Sequence, residues 1–176
     1  MLRWTRLGCV FVLLFSLGCV DQPLETAPVE QLRSVELRTV SVKELEAEIA
    51  SHKGKVVLID VWFLGCAPCV KRFPKFVEMH RELRGEGLVC ISLDVYGEEL
   101  KKKDKVLGFL KEQTADTINL IAEDADRSLE AWQDKYEAGP TPSYVIFDRK
   151  GEWVKTPQPE DKENVSRTLK KLLAEK

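Results

Sequence analysis

Val56-Val57-Leu58-Ile59-Asp60-Val61-Trp62-Phe63-Leu64-Gly65-Cys66-Ala67-Pro68-Cys69 runs an apolar strand directly into a pair of thiols. Val56 to Val61 is almost unbroken in β-branched and apolar residues, which suits a central strand covered on both faces rather than an alternating edge strand. Only Asp60 interrupts it. From Pro68 onward Val70, Phe73, Phe76, Val77 and Met79 recur at helical spacing, so the two cysteines fall on a strand-to-helix turn.

A helix N-terminus offers unpaired N–H groups and the positive end of the macrodipole, and both favour a thiolate over a thiol. Cys66 is therefore expected to have the lower pKa and to act as the nucleophile. Cys69, three residues on and on the same face of the first turn, is close enough to close a disulfide with it. A thiolate that attacks a partner's disulfide forms a mixed disulfide, which Cys69 then resolves. Pro74 removes one helical hydrogen bond and is expected to kink the helix.

Asp60, Trp62, Cys66-Ala67-Pro68-Cys69 and Pro74 are spaced as in thioredoxin-fold oxidoreductases, and the chain most resembles their exported TlpA/ResA-like branch. Gly65 departs from that pattern, which usually has Trp before the first cysteine; Phe63 or Leu64 is the candidate replacement for the lost apolar surface. The resemblance covers about residues 35–174. It implies an α/β, thioredoxin-like fold, a central mixed β-sheet flanked by helices on both faces, and a redox disulfide Cys66–Cys69. It also implies a substrate-binding role for Trp62 and a second functional stretch, Ala138-Gly139-Pro140-Thr141-Pro142-Ser143-Tyr144, ahead of the strand Val145-Ile146-Phe147. There Pro142 takes the place of the family's cis-proline, and Thr141 before it turns its backbone toward the thiols to pair with an extended substrate segment. Pro140 stands where the family more often has glycine. Asp60, buried in its strand and costly to ionise, should have a raised pKa suited to accepting a proton from Cys69.

Toward the N-terminus, Arg3 and Arg6 precede an apolar core from Leu7 to Leu17. About eleven such residues are fewer than the roughly 20 that span a bilayer, so residues 1–18 are expected to be an export signal. Ser16-Leu17-Gly18-Cys19 resembles a lipoprotein cleavage box, with Ser16 in place of the usual aliphatic residue. Either Cys19 is lipidated and anchors the protein to a membrane, or an ordinary signal is cleaved nearby. Residues 19–34, with Pro23 and Pro28 among polar side chains, are read as a tether, and residues 35–176 as the domain.

The 176 residues are 44% hydrophobic, enough for one core. Removing the leader takes Arg3 and Arg6 from 27 basic residues against 29 acidic ones and leaves a net charge near −4, which argues against a nucleic-acid partner. With Cys9 and Cys19 set aside, Cys66, Cys69 and Cys90 form no disulfide framework, and Cys90, inside Leu88-Val89-Cys90-Ile91-Ser92-Leu93-Asp94, reads as a core residue.

The rest of the chain alternates strands and helices. Val35 to Val40 reads as an edge strand, and Ser41 with Glu44 as a capping box opening a helix that ends at Lys53-Gly54. Lys101 to Lys105 reads as the solvated face of one helix continuing to about Gln113. A strand over Ile118 to Ile121 and a helix over Arg127 to Tyr136, with Leu129, Trp132 and Tyr136 inward, follow. Arg149-Lys150-Gly151 turns into Glu152 to Lys155, and Pro159-Glu160-Asp161 starts a final helix carrying Val165, Leu169, Leu172 and Leu173.

Zinc would explain C-x-x-C, but Cys90, His52 and His80 supply no second paired motif, so no metal is expected. A peroxiredoxin would place its cysteine in a different setting. A redox-silent thioredoxin-like binding or chaperone module is the alternative that Gly65 and Pro140 keep open, although both thiols, Asp60 and Pro142 are present. The function expected is an extracytoplasmic thiol-disulfide oxidoreductase needing no cofactor beyond its cysteines. It would act as a reductase, with a disulfide-forming oxidase as the nearest competitor. By resemblance, its clients are secreted thiol or disulfide proteins, which can include apocytochrome c, and its electrons come from a membrane thiol transporter.

Overall fold

The computed structural model describes residues 34–123, 127–155 and 162–175. The expected signal, Cys19, nearly all of the tether and the Pro159-Glu160-Asp161 helix start lie outside them. Val56–Trp62 forms a strand, β2, with every residue buried, as its unbroken apolar run requires. Before it come β1 (Arg38–Val40) and helix α1 (Val42–Ser51), and after it α2 (Ala67–Leu83), a short 3₁₀ turn (Arg84–Glu86) and β3 (Leu88–Asp94). The chain continues through α3 (Gly97–Leu100), α4 (Lys103–Glu112), β4 (Ile118–Ala122), α5 (Arg127–Lys135), β5 (Ser143–Phe147), β6 (Trp153–Val154) and α6 (Lys162–Ala174).

The sheet order is β1-β4-β3-β2-β5-β6. β2 pairs parallel with β3 and antiparallel with β5, so the sheet is mixed and β2 lies inside it. Alternation along β2 sends Leu58 and Trp62 to a core shared with Phe73, Phe76 and Val77 of α2, Phe109 and Leu110 of α4, and Val165 and Leu169 of α6. Val57, Ile59 and Val61 face the opposite core with Leu45 and Ile49 of α1 and Trp132. Helices thus cover both faces, the architecture of a thioredoxin-like fold.

Ser41 caps α1 as its sequence indicates: its side chain accepts from Glu44 N–H, and the Glu44 carboxylate accepts from Ser41 N–H at 2.8 Å. The helix expected across Lys101 to Gln113 is instead two pieces. Lys102 leaves helical geometry at φ −123° and ψ 26°, and α3 is a single turn that carries Glu99 inward. Leu129 and Trp132 are buried, and Tyr136 packs edge-on against Phe147 with ring centroids 5.1 Å apart.

Candidate active site

The carboxyl end of β2 delivers the chain into a tight turn, in which Cys66 N–H donates to Phe63 O at 3.1 Å. Cys66 is the N-cap of α2, its backbone extended and its Sγ accepting from Cys69 N–H at 3.3 Å. Sulfur therefore takes the capping place usually filled by Ser or Asp. Pro68 sits in the first turn, where its missing N–H costs nothing, and α2 runs on as one helix through Pro74. Cys66 and Cys69 are joined in a disulfide, S–S 1.99 Å. Cys66 retains 7% of its surface and Cys69 none, so the outer sulfur is the one that a partner can approach.

Asp60 is completely buried on the face of β2 that α2 covers. Its Oδ1 accepts from Arg72 of α2, whose guanidinium also lies over the Tyr144 ring, 4.1 Å from its centroid. Burial pushes the Asp60 carboxyl up and Arg72 pulls it partly back, leaving it at about 7. Oδ2 meets no hydrogen-bond donor among the described residues. Arg72 also lines a cleft of about 80 Å³ with Lys75, Tyr144, Val165 and Lys170, so one wall of the buried pair adjoins space that water can enter. Burial likewise raises the Tyr144 hydroxyl and, followed by the Asp60 and Asp116 charges, raises the Cys90 thiol well above its usual range. Cys90 is fully buried and thus lies in the core.

The antiparallel register aligns Val61 with Ser143, and its continuation brings Pro142 and Thr141 beside the end of β2, from which the cysteine turn departs. The Thr141–Pro142 peptide is cis, as the resemblance implies, and so is Gly139–Pro140. Ser143 Oγ donates to Ala138 O at 2.7 Å and closes this loop.

Trp62 is a correction. Expected at the substrate surface, it is fully buried, its Nε1 donating to Ser92 Oγ at 2.8 Å and its ring 4.8 Å from Phe73. Strand alternation turns it into the α2 core, so it supports the cysteine turn from below. Phe63 occupies the space above Gly65: a Cβ there would come within 3.3 Å of the Phe63 ring. That ring lies 5.1 Å from Tyr96, an exposed aromatic.

Two site residues, Arg72 and Glu99, escaped the sequence reading. The Glu99 side chain accepts from Leu64 N–H at 2.7 Å and Gly65 N–H at 2.9 Å. Buried Asp94 lies beside it and accepts from Tyr96 N–H at 3.0 Å. Burial, reinforced by hydrogen bonding to Glu99, pushes the Asp94 carboxyl up to about 8. Its Oδ2 meets no hydrogen-bond partner among the described residues.

The raised carboxyls predict how stability varies with pH. Asp60 and Asp94 hold their protons more tightly folded than unfolded, where both titrate near 3.8. Their contribution is complete below about pH 4 and is lost as pH rises through about 7 and about 8, at up to about 1.4 kcal/mol per pH unit per group. Urea midpoints of the oxidised protein are expected to fall between pH 5 and 9, and Asp60→Asn to flatten the lower part of the decline. A midpoint that rises over that range would contradict these environments.

An N-capping C-x-x-C disulfide, a buried carboxylate on the adjoining strand and a cis-proline loop thus stand together on a thioredoxin-like fold. No protein-family model matches the chain. Thiol-disulfide oxidoreductase ResA of Bacillus subtilis is 28% identical over 108 residues, 61% of this chain and 55% of that protein. ResA of Geobacillus kaustophilus is 25% identical over 111 residues, covering 63% and 59%. The match thus spans less than two thirds of either relative. Among solved structures, one assigned to thiol:disulfide interchange protein DsbE of Chlorobium tepidum has a TM-score of 0.59 at 21% identity, covering 72% of this chain and 85% of that one. A thiol-disulfide oxidoreductase structure from Bacteroides vulgatus gives 0.56 at 23%, covering 71% and 78%. Over the stretch matched to those two relatives, the chain is similar in sequence to ResA-type thiol-disulfide oxidoreductases.

Proposed function

We propose that the chain is an extracytoplasmic thiol-disulfide oxidoreductase that reduces disulfides in exported proteins. The carrying observation is the asymmetry of the disulfide: an outer sulfur at a helix N-cap, bonded to a sealed inner one. Cys66 is the nucleophile, activated by the N-terminal N–H groups of α2. Cys69 resolves the mixed disulfide after Asp60 takes its proton, a task suited to a carboxyl held near 7. The Thr141 backbone, presented by Pro142, pairs with the client segment, and Phe63 with Tyr96 supplies the apolar surface that Gly65 lacks. The apolar leader and Cys19 support export and membrane attachment. Clients are secreted proteins carrying disulfides, apocytochrome c among the candidates, and a membrane thiol transporter supplies the electrons.

The test is the thiol–disulfide equilibrium of the protein against glutathione, read by trapping free thiols, with Cys66→Ala as control. A reversible and reducing Cys66–Cys69 couple, absent in the control, is expected. An oxidising couple would replace reduction by disulfide formation, and absence of any couple would leave a binding module.

A further inference from the structure

Glu99 lies on a one-turn helix whose neighbours Glu98 and Lys101 pair with each other in solvent, 3.1 Å apart, yet its own side chain is buried. Burying a carboxylate is costly unless hydrogen bonds replace its water. Here those bonds come from the N–H groups of Leu64 and Gly65, the two residues immediately before Cys66. We propose that Glu99 is a positioning residue for the proposed Cys66–Cys69 couple, clamping the turn ahead of Cys66 and holding the pair reducing.

Two effects act in the same direction. Donors committed to Glu99 cannot swing toward a thiolate at Cys66, and a carboxylate bonded to the N–H of Gly65, the residue immediately before Cys66, opposes the charge that develops on Sγ. Both disfavour the reduced thiolate form relative to the disulfide, which lowers the potential. The other ionisable group against Glu99 is Asp94. Its carboxyl is raised by burial and by hydrogen bonding to Glu99.

This inference rests on the proposed thiol–disulfide chemistry, and one experiment separates their failures. The oxidised protein is equilibrated with glutathione. Two glutathione thiols give two electrons to the Cys66–Cys69 disulfide and become joined, while the two cysteine sulfurs take up the two protons. Absence of a reversible couple in the unmodified protein would defeat the functional reading itself. Given a couple, Glu99→Gln, which removes the charge and can accept from only one of the two N–H groups, is expected to shift the equilibrium about tenfold toward the dithiol, ~30 mV. Alkylation of Cys66 below pH 7 should accelerate several-fold. Asp94→Asn keeps the Glu99 charge and both its bonds, and is expected to stay within about twofold of the unmodified protein. Should Glu99→Gln fail to fold, Glu99→Asp, which cannot reach both N–H groups, is expected to shift in the same direction by less. No shift, a shift toward the disulfide, or an equal shift in Asp94→Asn would overturn the assignment.

Discussion

Cys69→Ser is expected to stop turnover, by on the order of 10³-fold or more, while leaving the first chemical step intact. In the proposed scheme, the outer Cys66 alone attacks the client disulfide and the fully buried Cys69 alone releases it. Without Cys69, the mixed disulfide has no internal thiolate to break it, so the client remains covalently attached until an external thiol intervenes. Non-reducing gels after incubation with a disulfide-bearing protein should show a stable adduct for Cys69→Ser, none for Cys66→Ser, and at most a transient one for the unmodified chain. Adducts through position 69 in Cys66→Ser would reverse the two roles. Serine preserves the size of each site, so loss of fold is not the expected cause of either result, and unchanged circular dichroism would verify that.

The second large effect belongs to Arg72→Met. Removing one partner of a buried ion pair leaves the other charge without compensation and costs roughly 3–5 kcal/mol. Here the cost depends on pH, because the carboxyl titrates at about 7 even with Arg72 present. Below pH 6 Asp60 is mostly protonated, and the substitution loses chiefly the guanidinium's contact with the Tyr144 ring. Above pH 8 it removes the partner that lets the buried carboxyl ionise, so Asp60 must keep its proton against the pH. Urea denaturation at pH 5.5 and pH 8.5 should therefore show a modest deficit at the lower value and about 2 kcal/mol more at the higher. Equal deficits would mean that Arg72 acts by packing alone. The double variant Asp60→Asn with Arg72→Met should recover much of the loss at high pH.

The sequence carried the fold wherever one local pattern and one environment coincide. β2 is apolar at nearly every position because it lies inside a sheet covered on both sides, and α2 announces itself by the spacing of Phe73, Phe76 and Val77. The cysteines and Asp60 were legible for the same reason, being fixed relative to those two elements. Arg72 was not, because pairing a helix residue with a strand residue twelve positions earlier depends on how the two elements pack. Glu99 had no sequence signal of its own, standing beside Glu98 just ahead of the Lys101 to Lys105 run, and only its inward turn distinguishes it from Glu98. Trp62 was misplaced because an aromatic residue at a strand end can serve either surface or core, and packing against Phe73 and Phe109 decides it. A cis bond at Gly139–Pro140 had no sequence signal apart from proline itself.

The sheet ends in three paired residues at β1 and two at β6. An incompletely folded client offers long extended segments in search of backbone partners, and an open border strand would capture them indiscriminately. With both borders so short, such segments find little to grip there. Adhesion and chemistry can then be directed to the same place, the proline loop beside the sulfur atoms, so a client that lingers is one that is being reduced.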